Sequence, residues 1–364
     1  MTHNGFPVSI FPLRRVDGPS VRAGKLPAAP LIERLQSAIN SAIQGLLPAG
    51  CRVALLDFPD YENVGDSMIW LGQKAWLARA GHPVVYQSSV RTYVQKRLAA
   101  SLGPNDVILL SGGGNFCDRY ASHQALRERV LAEFPSHRIV QLPQTVNFSS
   151  EARLAQAAAA LNRHRRFTLL ARDQRSLSLA RRHFNVESRL CPDMAFALGA
   201  LLRRSRATTD VVVLRRQDQE ACCETWNGGV PWPSVDWAQR PESLLERVHA
   251  KLRLQVGLRP NRLRPLFSFI TSTFDRLAQD RLIRGRNMLT VGRVVITDRL
   301  HGHILSLLLS LPHVILNDRY DKIGDFYSTW TQASEITRLA SSSSDAVSLA
   351  RELLRAQNHP VGAC

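Results

Sequence analysis

Apolar residues along this chain fall into short unbroken runs that alternate with stretches of helical spacing. Arg52-Val53-Ala54-Leu55-Leu56, Pro83 to Tyr86, Asp106 to Leu110, Arg138 to Leu142 and Phe167 to Ala171 are runs of strand length, rich in Val, Ile and Leu. Between them, Ser67 to Ala80 places Met68, Ile69, Leu71, Trp76 and Leu77 at helical intervals, and Gln124 to Phe134 and Ser150 to Arg163 also read as helices. A first helix, Leu31 to Leu47, precedes the series. Strands that are apolar throughout, rather than at alternate positions, belong to sheets covered on both faces. The rhythm therefore predicts an α/β fold with a parallel sheet.

The rhythm lapses into a basic, polar stretch from Leu198 to Thr209 and resumes with the strand Val211 to Leu214. Cys222 to Arg240 is rich in Trp, Gly and Pro, and a helical region follows. The strands Arg293 to Thr297 and His313 to Leu316 flank an apolar helix, Gly302 to Leu311. A chain of 364 residues suits two α/β domains, since domains cluster near ~100 to 200 residues. The expected division is an irregular Pro- and Gly-rich arm over 1–30, one Rossmann-like domain over 31–205, a second over 206–340, and a terminal helix and tail over 341–364. No internal repeat is present.

Composition narrows the partners. The chain is 45% hydrophobic and 21% charged, as a folded protein is, but its net charge is +17, nearly all of it from Arg. Such a charge favours anionic partners, although a general preference for Arg raises the same count without any partner. Nucleic acid is not expected, because no zinc-finger spacing, aromatic RNP-like run or lysine-rich tail accompanies the arginines. The six cysteines are scattered and suggest neither a disulfide framework nor a zinc site. No secretory h-region and no run of ~18 apolar residues occurs. The expected location is the cytoplasm, with peripheral contact at the anionic inner face of the plasma membrane. The sequence carries no signal of oligomeric state.

Candidate chemistry gathers where strands end. Ligands of open parallel sheets bind beyond the carboxyl ends of the strands, beside helix N-termini. Asn63-Val64-Gly65-Asp66 stands just before a helix, with Asp66 either the helix cap or a general base. Gly112-Gly113-Gly114-Asn115 reads as a loop open to close approach by a ligand, though it is neither a Walker loop nor Gly-x-Gly-x-x-Gly. His123 beyond it reads as a surface or capping histidine by position alone. Pro143-Gln144-Thr145-Val146-Asn147 reads as a polar loop. Arg172, at a strand end before a helix, suits phosphate or carboxylate. Most unusual is Asp298-Arg299-Leu300-His301-Gly302-His303, where polar groups sit between a buried strand and a buried helix. His301 and His303, two apart on a helix, do not share a face, so a metal pair is not indicated.

Taken in order, Asn-x-Gly-Asp at 63–66, Gly-Gly-Gly-Asn-Phe-x-Asp-x-Tyr at 112–120, Leu-Pro-Gln-Thr at 142–145, Arg-Asp-x-x-Ser at 172–176, Pro-Asp-Met-Ala at 192–195 and Arg-Leu-His-Gly-His at 299–303 resemble the polysaccharide pyruvyl transferase family. The bacterial exopolysaccharide-operon branch is the nearest likeness, and Asn317 to Lys322 and Trp330 extend it. The resemblance implies two Rossmann-like domains facing across a cleft in a GT-B-like arrangement. It also implies transfer of the enolpyruvyl unit of phosphoenolpyruvate to a sugar or lipid-linked oligosaccharide, forming a ketal, with no metal or cofactor. By the same resemblance Arg172, Arg299, Leu300 and His301 bind the donor, and Asp66, His301 and His123 are catalytic. Asn63, Gly113, Asn115, Asp118 and Gln144 then fall at the acceptor or cleft. The competing expectations are a GT-B glycosyltransferase, which calls for an acidic or aromatic nucleotide clamp in the second domain, and a non-catalytic basic binding protein.

Overall fold

The computed structural model describes residues 26–217, 232–237, 244–258, 264–317 and 321–358. Most of the expected N-terminal arm and of the Cys222–Arg240 stretch lies outside the described residues, as do Asp318, Arg319 and Tyr320.

The chain is a mixed α/β protein with two parallel sheets. Strands β1 (Val53–Leu56), β2 (Val84–Ser88), β3 (Val107–Leu110), β4 (Gly113–Cys117), β5 (Arg138–Asn147), β6 (Phe167–Ala171) and β7 (Glu187–Leu190) form the first. Its order is β2-β1-β3-β5-β6-β7, with β4 paired beside β5. Strands β8 (Thr209–Leu214), β9 (Ser234–Val235), β10 (Gly292–Thr297), β11 (His313–Leu316) and β12 (Thr337–Ala340) form the second, ordered β12-β11-β10-β8-β9. The helices are α1 (Ala28–Ile43), α2 (Val64–Arg79), α3 (Gln95–Ser101), α4 (Ala121–Glu133), α5 (Glu151–Asn162), α6 (Gln174–His183) and α7 (Leu244–Leu258). They continue with α8 (Phe267–Ser272), α9 (Phe274–Thr290), α10 (Leu300–Leu308), α11 (Lys322–Phe326) and α12 (Ser343–Asn358).

Side chains alternate across a strand, and the cores follow that period of two. Val53, Leu55, Val107 and Leu109 of the first sheet share one apolar cluster with Val212, Leu214 and Val295 of the second. Their neighbours Ala54, Leu56, Ile108 and Leu110 face a separate cluster, as do Val211, Val213, Val294 and Ile296 on the far side of the second sheet. The two sheets are thus joined by a continuous core rather than held apart. Helix α2, buried on most of its circumference, runs through that core between the 3-10 turn Met194–Leu198 and α9.

Two stretches expected as loops are strands. Residues Gly113–Cys117 pair in parallel with the end of β5, Gly113 opposite Gln144 and Phe116 opposite Val146, across an irregularity in register. Strand β5 therefore runs through Pro143-Gln144-Thr145-Val146-Asn147 instead of stopping at Leu142. Tertiary pairing overrides the turn-forming composition of both segments. The irregular arm also ends sooner than expected, since α1 begins at Ala28.

Gly72 shows how closely α2 is fitted. A Cβ there would lie 1.9 Å from the Met194 carbonyl oxygen, which is backbone and has no rotamer in which to retreat. Gly72→Ala in an open helix would stabilise by about 0.5 to 1 kcal/mol. Here it should destabilise by about 3 kcal/mol or more, read from urea unfolding midpoints, because overpacking wins; an unchanged or higher midpoint would contradict this packing.

Candidate active site

In a parallel sheet the crevice for a ligand opens where the strand order reverses. In the first sheet the chain leaves β1 toward β2 on one side and β3 on the other; in the second, β8 leads to β9 while β10 leads to β11 on the opposite side. The loops beyond these two switch points converge on one cavity of about 120 Å³. Tyr61, Asn63 and Asp66 reach it from beyond β1, Gly114, Asn115 and Tyr120 from beyond β3, and Arg172 from beyond β6. Arg216, Trp237, Arg299, Leu300, His301 and Lys322 close it from the second sheet.

Arg172 is buried and held rigidly. Its Nε and Nη2 donate to Thr145 Oγ1 at 3.1 and 2.8 Å, and its Nη1 donates to Asp193 at 2.9 Å. Gly114 passes beside the guanidinium, where a Cβ would stand 3.6 Å from Nη2. Asp193 stands 3.4 Å from His301 Nε2 on the other side, an ion-pair distance that leaves this buried nitrogen with no hydrogen bond. Burial alone would raise the Asp193 carboxyl, but the charges of His301 and Arg172 hold it well below the usual carboxylate range. The His301 ring also lies against Gly65 at the start of α2, where a Cβ would come within 2.5 Å of its Nδ1. One carboxylate thereby ties an arginine of the first sheet to a histidine of the second.

Arg299 has a carboxylate of its own. It pairs with Asp236 at 2.5 Å, beside the buried Trp237, and its backbone N–H donates to Thr297 Oγ1. Leu300 follows as the first residue of α10. Asp298 accepts from the backbone N–H of Arg216 at 2.8 Å, and burial pushes its carboxyl up to about 6. His303 points away from the cavity: its ring bridges His313 Nε2 at 2.7 Å and Thr331 Oγ1 at 2.8 Å in the core.

On the first-sheet side, of the two roles open to Asp66 the helix cap is taken by Asn63, whose side chain accepts from the N–H groups of Gly65 and Asp66. Asp66 is thus left to face the cavity and accepts from the Tyr61 hydroxyl at 2.8 Å. Asn115 is oriented by its partners: its amide nitrogen donates to Asp57 at 3.0 Å, and its oxygen accepts from Gln144 and Arg127. Gln144 is fully buried behind it, and Gly113 passes beside Asp66. His123 is neither a surface nor a capping residue. Its Nδ1 donates to Asp57 at 2.7 Å, its side chain is only 14% exposed, and the rings of Tyr61 and Tyr120 stand edge-on between it and the cavity wall. Asp118 is turned away and binds the Ser149–Ser150 backbone at the start of α5.

Sequence reasoning left three carboxylates without a role. Asp193 lies in the Pro-Asp-Met-Ala motif, where a lone acid before an apolar turn is the signal. Asp236 follows the two-residue strand β9, and Asp57 follows β1 directly. Asp57 adopts φ 73°, a left-handed conformation that Asp and Asn tolerate better than other non-glycine residues.

Burial lowers the His123 imidazole, but the charge and hydrogen bond of Asp57 overcome this and raise it above its ordinary value of 6.5. The pair's stabilisation is therefore complete below that value and fades as pH rises through the folded one. In Asp57→Asn, which keeps the shape and the left-handed turn, the His123 ring followed by NMR should titrate at lower pH than in the parent. The deficit in stability should also be larger at mildly acid pH than at pH 9. An unmoved titration would contradict the pairing.

A family model described as polysaccharide pyruvyl transferase matches residues 63–238. Pyruvyl transferase 1 of Schizosaccharomyces pombe is 33% identical over 290 residues, 77% of this chain and 69% of that protein. EpsO of Bacillus subtilis is 28% identical over 301 residues, 82% of this chain and 91% of its own length. Among solved structures, a functionally uncharacterised Klebsiella pneumoniae protein shares the fold with a TM-score of 0.54 at 15% identity, over 85% of this chain and 99% of that one. With a relative this similar over this much of both chains, the protein belongs to the polysaccharide pyruvyl transferase family and is a transferase.

Proposed function

We propose that this transferase moves the pyruvyl unit of phosphoenolpyruvate onto two hydroxyls of a sugar in an exopolysaccharide or its lipid-linked precursor, closing a ketal. The observation that carries the reading is the charge of the cavity wall: Arg172, Arg216, Arg299 and Lys322 line it, together with His301, against a single lining carboxylate, Asp66. A wall of that kind suits a small dianion or trianion. Phosphoenolpyruvate carries a phosphate and a carboxylate at opposite ends of three carbons, and Arg172 and Arg299 come from different sheets. In this reading the two halves act as facing Rossmann-like domains in a GT-B-like manner, with the donor between them.

The reaction then needs one acid and one base. His301 protonates the methylene carbon, so that positive charge develops at the carbon bearing the phosphate. Asp66 takes the proton of the first sugar hydroxyl as its oxygen bonds to that carbon. The C–O bond to phosphate breaks, and the second hydroxyl closes the ring. Two hydroxyl protons leave the sugar; one balances the proton placed on the methyl group and the other leaves with phosphate. No metal or cofactor is invoked in this sequence. Tyr61 and Tyr120 offer ring surface beside Asp66 for the acceptor, and His123, held by Asp57, supports them from behind.

A nucleotide-sugar reading calls for an acidic or aromatic clamp in the second half, and Asp236 and Trp237 are residues of those types. Both are buried, however, and both are engaged with Arg299. They serve better as the arginine's support than as a platform for a base.

Assayed by phosphate release and pyruvate incorporation into a sugar acceptor, His301→Ala should lower kcat by about 100-fold or more while the fold is retained. Arg299→Met should instead act mainly on the KM for phosphoenolpyruvate. Transfer by His301→Ala at close to the parent rate would remove His301 from the chemistry.

A further inference from the structure

Large hydrophobic side chains that remain exposed are not spread evenly over the molecule. Of the nine among the described residues, six fall between positions 244 and 283: Leu244, Val248, Leu254, Leu266, Phe269 and Ile283. Leu244, Leu254 and Phe269 are 70%, 63% and 63% exposed. On α7 the exposed positions Leu244, Arg247, Val248, Lys251 and Leu254 recur at intervals of three and four, so they share one face. That face alternates aliphatic and cationic side chains.

The opposite face of α7 is committed to the protein. Glu246 accepts from Arg284 Nη1 at 2.8 and 2.9 Å, Val256 enters the core, and Arg253 donates to the Asp60 carbonyl at 2.6 Å. With its inner face pinned in this way, the helix cannot roll to bury Leu244 and Leu254. Residues 244–266 carry six basic side chains and one acidic one, Glu246, which is the buried partner of Arg284.

From this pattern we infer that the outer face of α7 docks on an anionic lipid bilayer, its cations at the headgroups and its leucines at the acyl boundary. A helix of this kind lies in the interface plane, where apolar insertion and attraction to anionic headgroups add. A second copy of the chain is a poorer occupant, because a symmetric pairing would lay the cationic positions of one face, Arg247 and Lys251, over the same cationic face of the other copy. The inner face of α7 grips the backbone at Asp60 and stands 3.7 Å from Glu62, flanking Tyr61 of the cavity. Docking there would present the Tyr61 side of the cavity to lipid-linked sugars. This consequence rests on the function proposed above; the docking itself does not.

The test is cosedimentation of the full chain with vesicles of phosphatidylcholine alone or mixed with phosphatidylglycerol. The parent should bind the mixed vesicles only, and more weakly as salt rises. The charge-neutral pair Leu244→Gln/Leu254→Gln should lower the partition coefficient about tenfold or more, with an unchanged urea midpoint and unchanged phosphoenolpyruvate turnover on a soluble acceptor. Equal binding by that variant, or no binding by the parent, would overturn the inference. So would concentration-dependent self-association of the parent that the variant abolishes. Because the readout is binding, it stands or falls separately from pyruvyl transfer.

Discussion

Asp193 is a carboxylate with almost no access to water, and it is tolerated in the core because the Arg172 guanidinium, the Ala195 N–H and the His301 ring reach it, the last from the other sheet. Arg172 comes from the end of β6 and His301 from the first turn of α10. Removing one partner from a buried pair costs about 3 to 5 kcal/mol, because a charge is left behind without compensation. The two halves are therefore held in one relative position at the point where the cavity forms, and Arg172 and His301 on that seam are kept from swinging away by the same acid. Arg299 is likewise held by a buried carboxylate, Asp236, although both of these belong to the second half.

The constraint extends outward through neutral hydrogen bonds. The His313 Nδ1 proton is given to the Leu311 carbonyl, so its Nε2 accepts from His303 Nδ1, and His303 Nε2 in turn accepts from Thr331. Burial pushes His303 well below its ordinary value and His313 to about 4, so these two rings carry no charge near neutrality. They anchor the π-helical turn Tyr327–Thr331, whose Trp330 donates to the Arg172 carbonyl at 2.8 Å. A core network within the second half thus bears on the backbone of the arginine from the first.

Much of this was legible in the sequence, for physical reasons that can be named. Buried parallel strands are apolar at every position, so β1, β3, β6, β8 and β10 stood out, and the polar turn at Asp298–His301 stood out against them. Strand β4 and the second half of β5 did not, since Gly112-Gly113-Gly114 and Pro143-Gln144-Thr145 have loop composition and become strand only by pairing with each other. Asn63 rather than Asp66 caps α2, a choice that depends on backbone geometry and not on residue type. Asp57, Asp193 and Asp236 were missed because a supporting carboxylate has meaning only beside the cation it supports, and those contacts span 66, 21 and 63 positions of chain in turn.

The central claim is that the cations gathered by these carboxylates form a site for phosphoenolpyruvate. Thermal unfolding in the presence of phosphoenolpyruvate, UDP, GDP or an oligonucleotide tests it most directly, because a ligand that binds only the folded state raises the midpoint, and at a fixed concentration raises it more the more tightly it binds. The account predicts a midpoint raised by phosphoenolpyruvate and not by the others. Stabilisation by a nucleotide with none by phosphoenolpyruvate would contradict it.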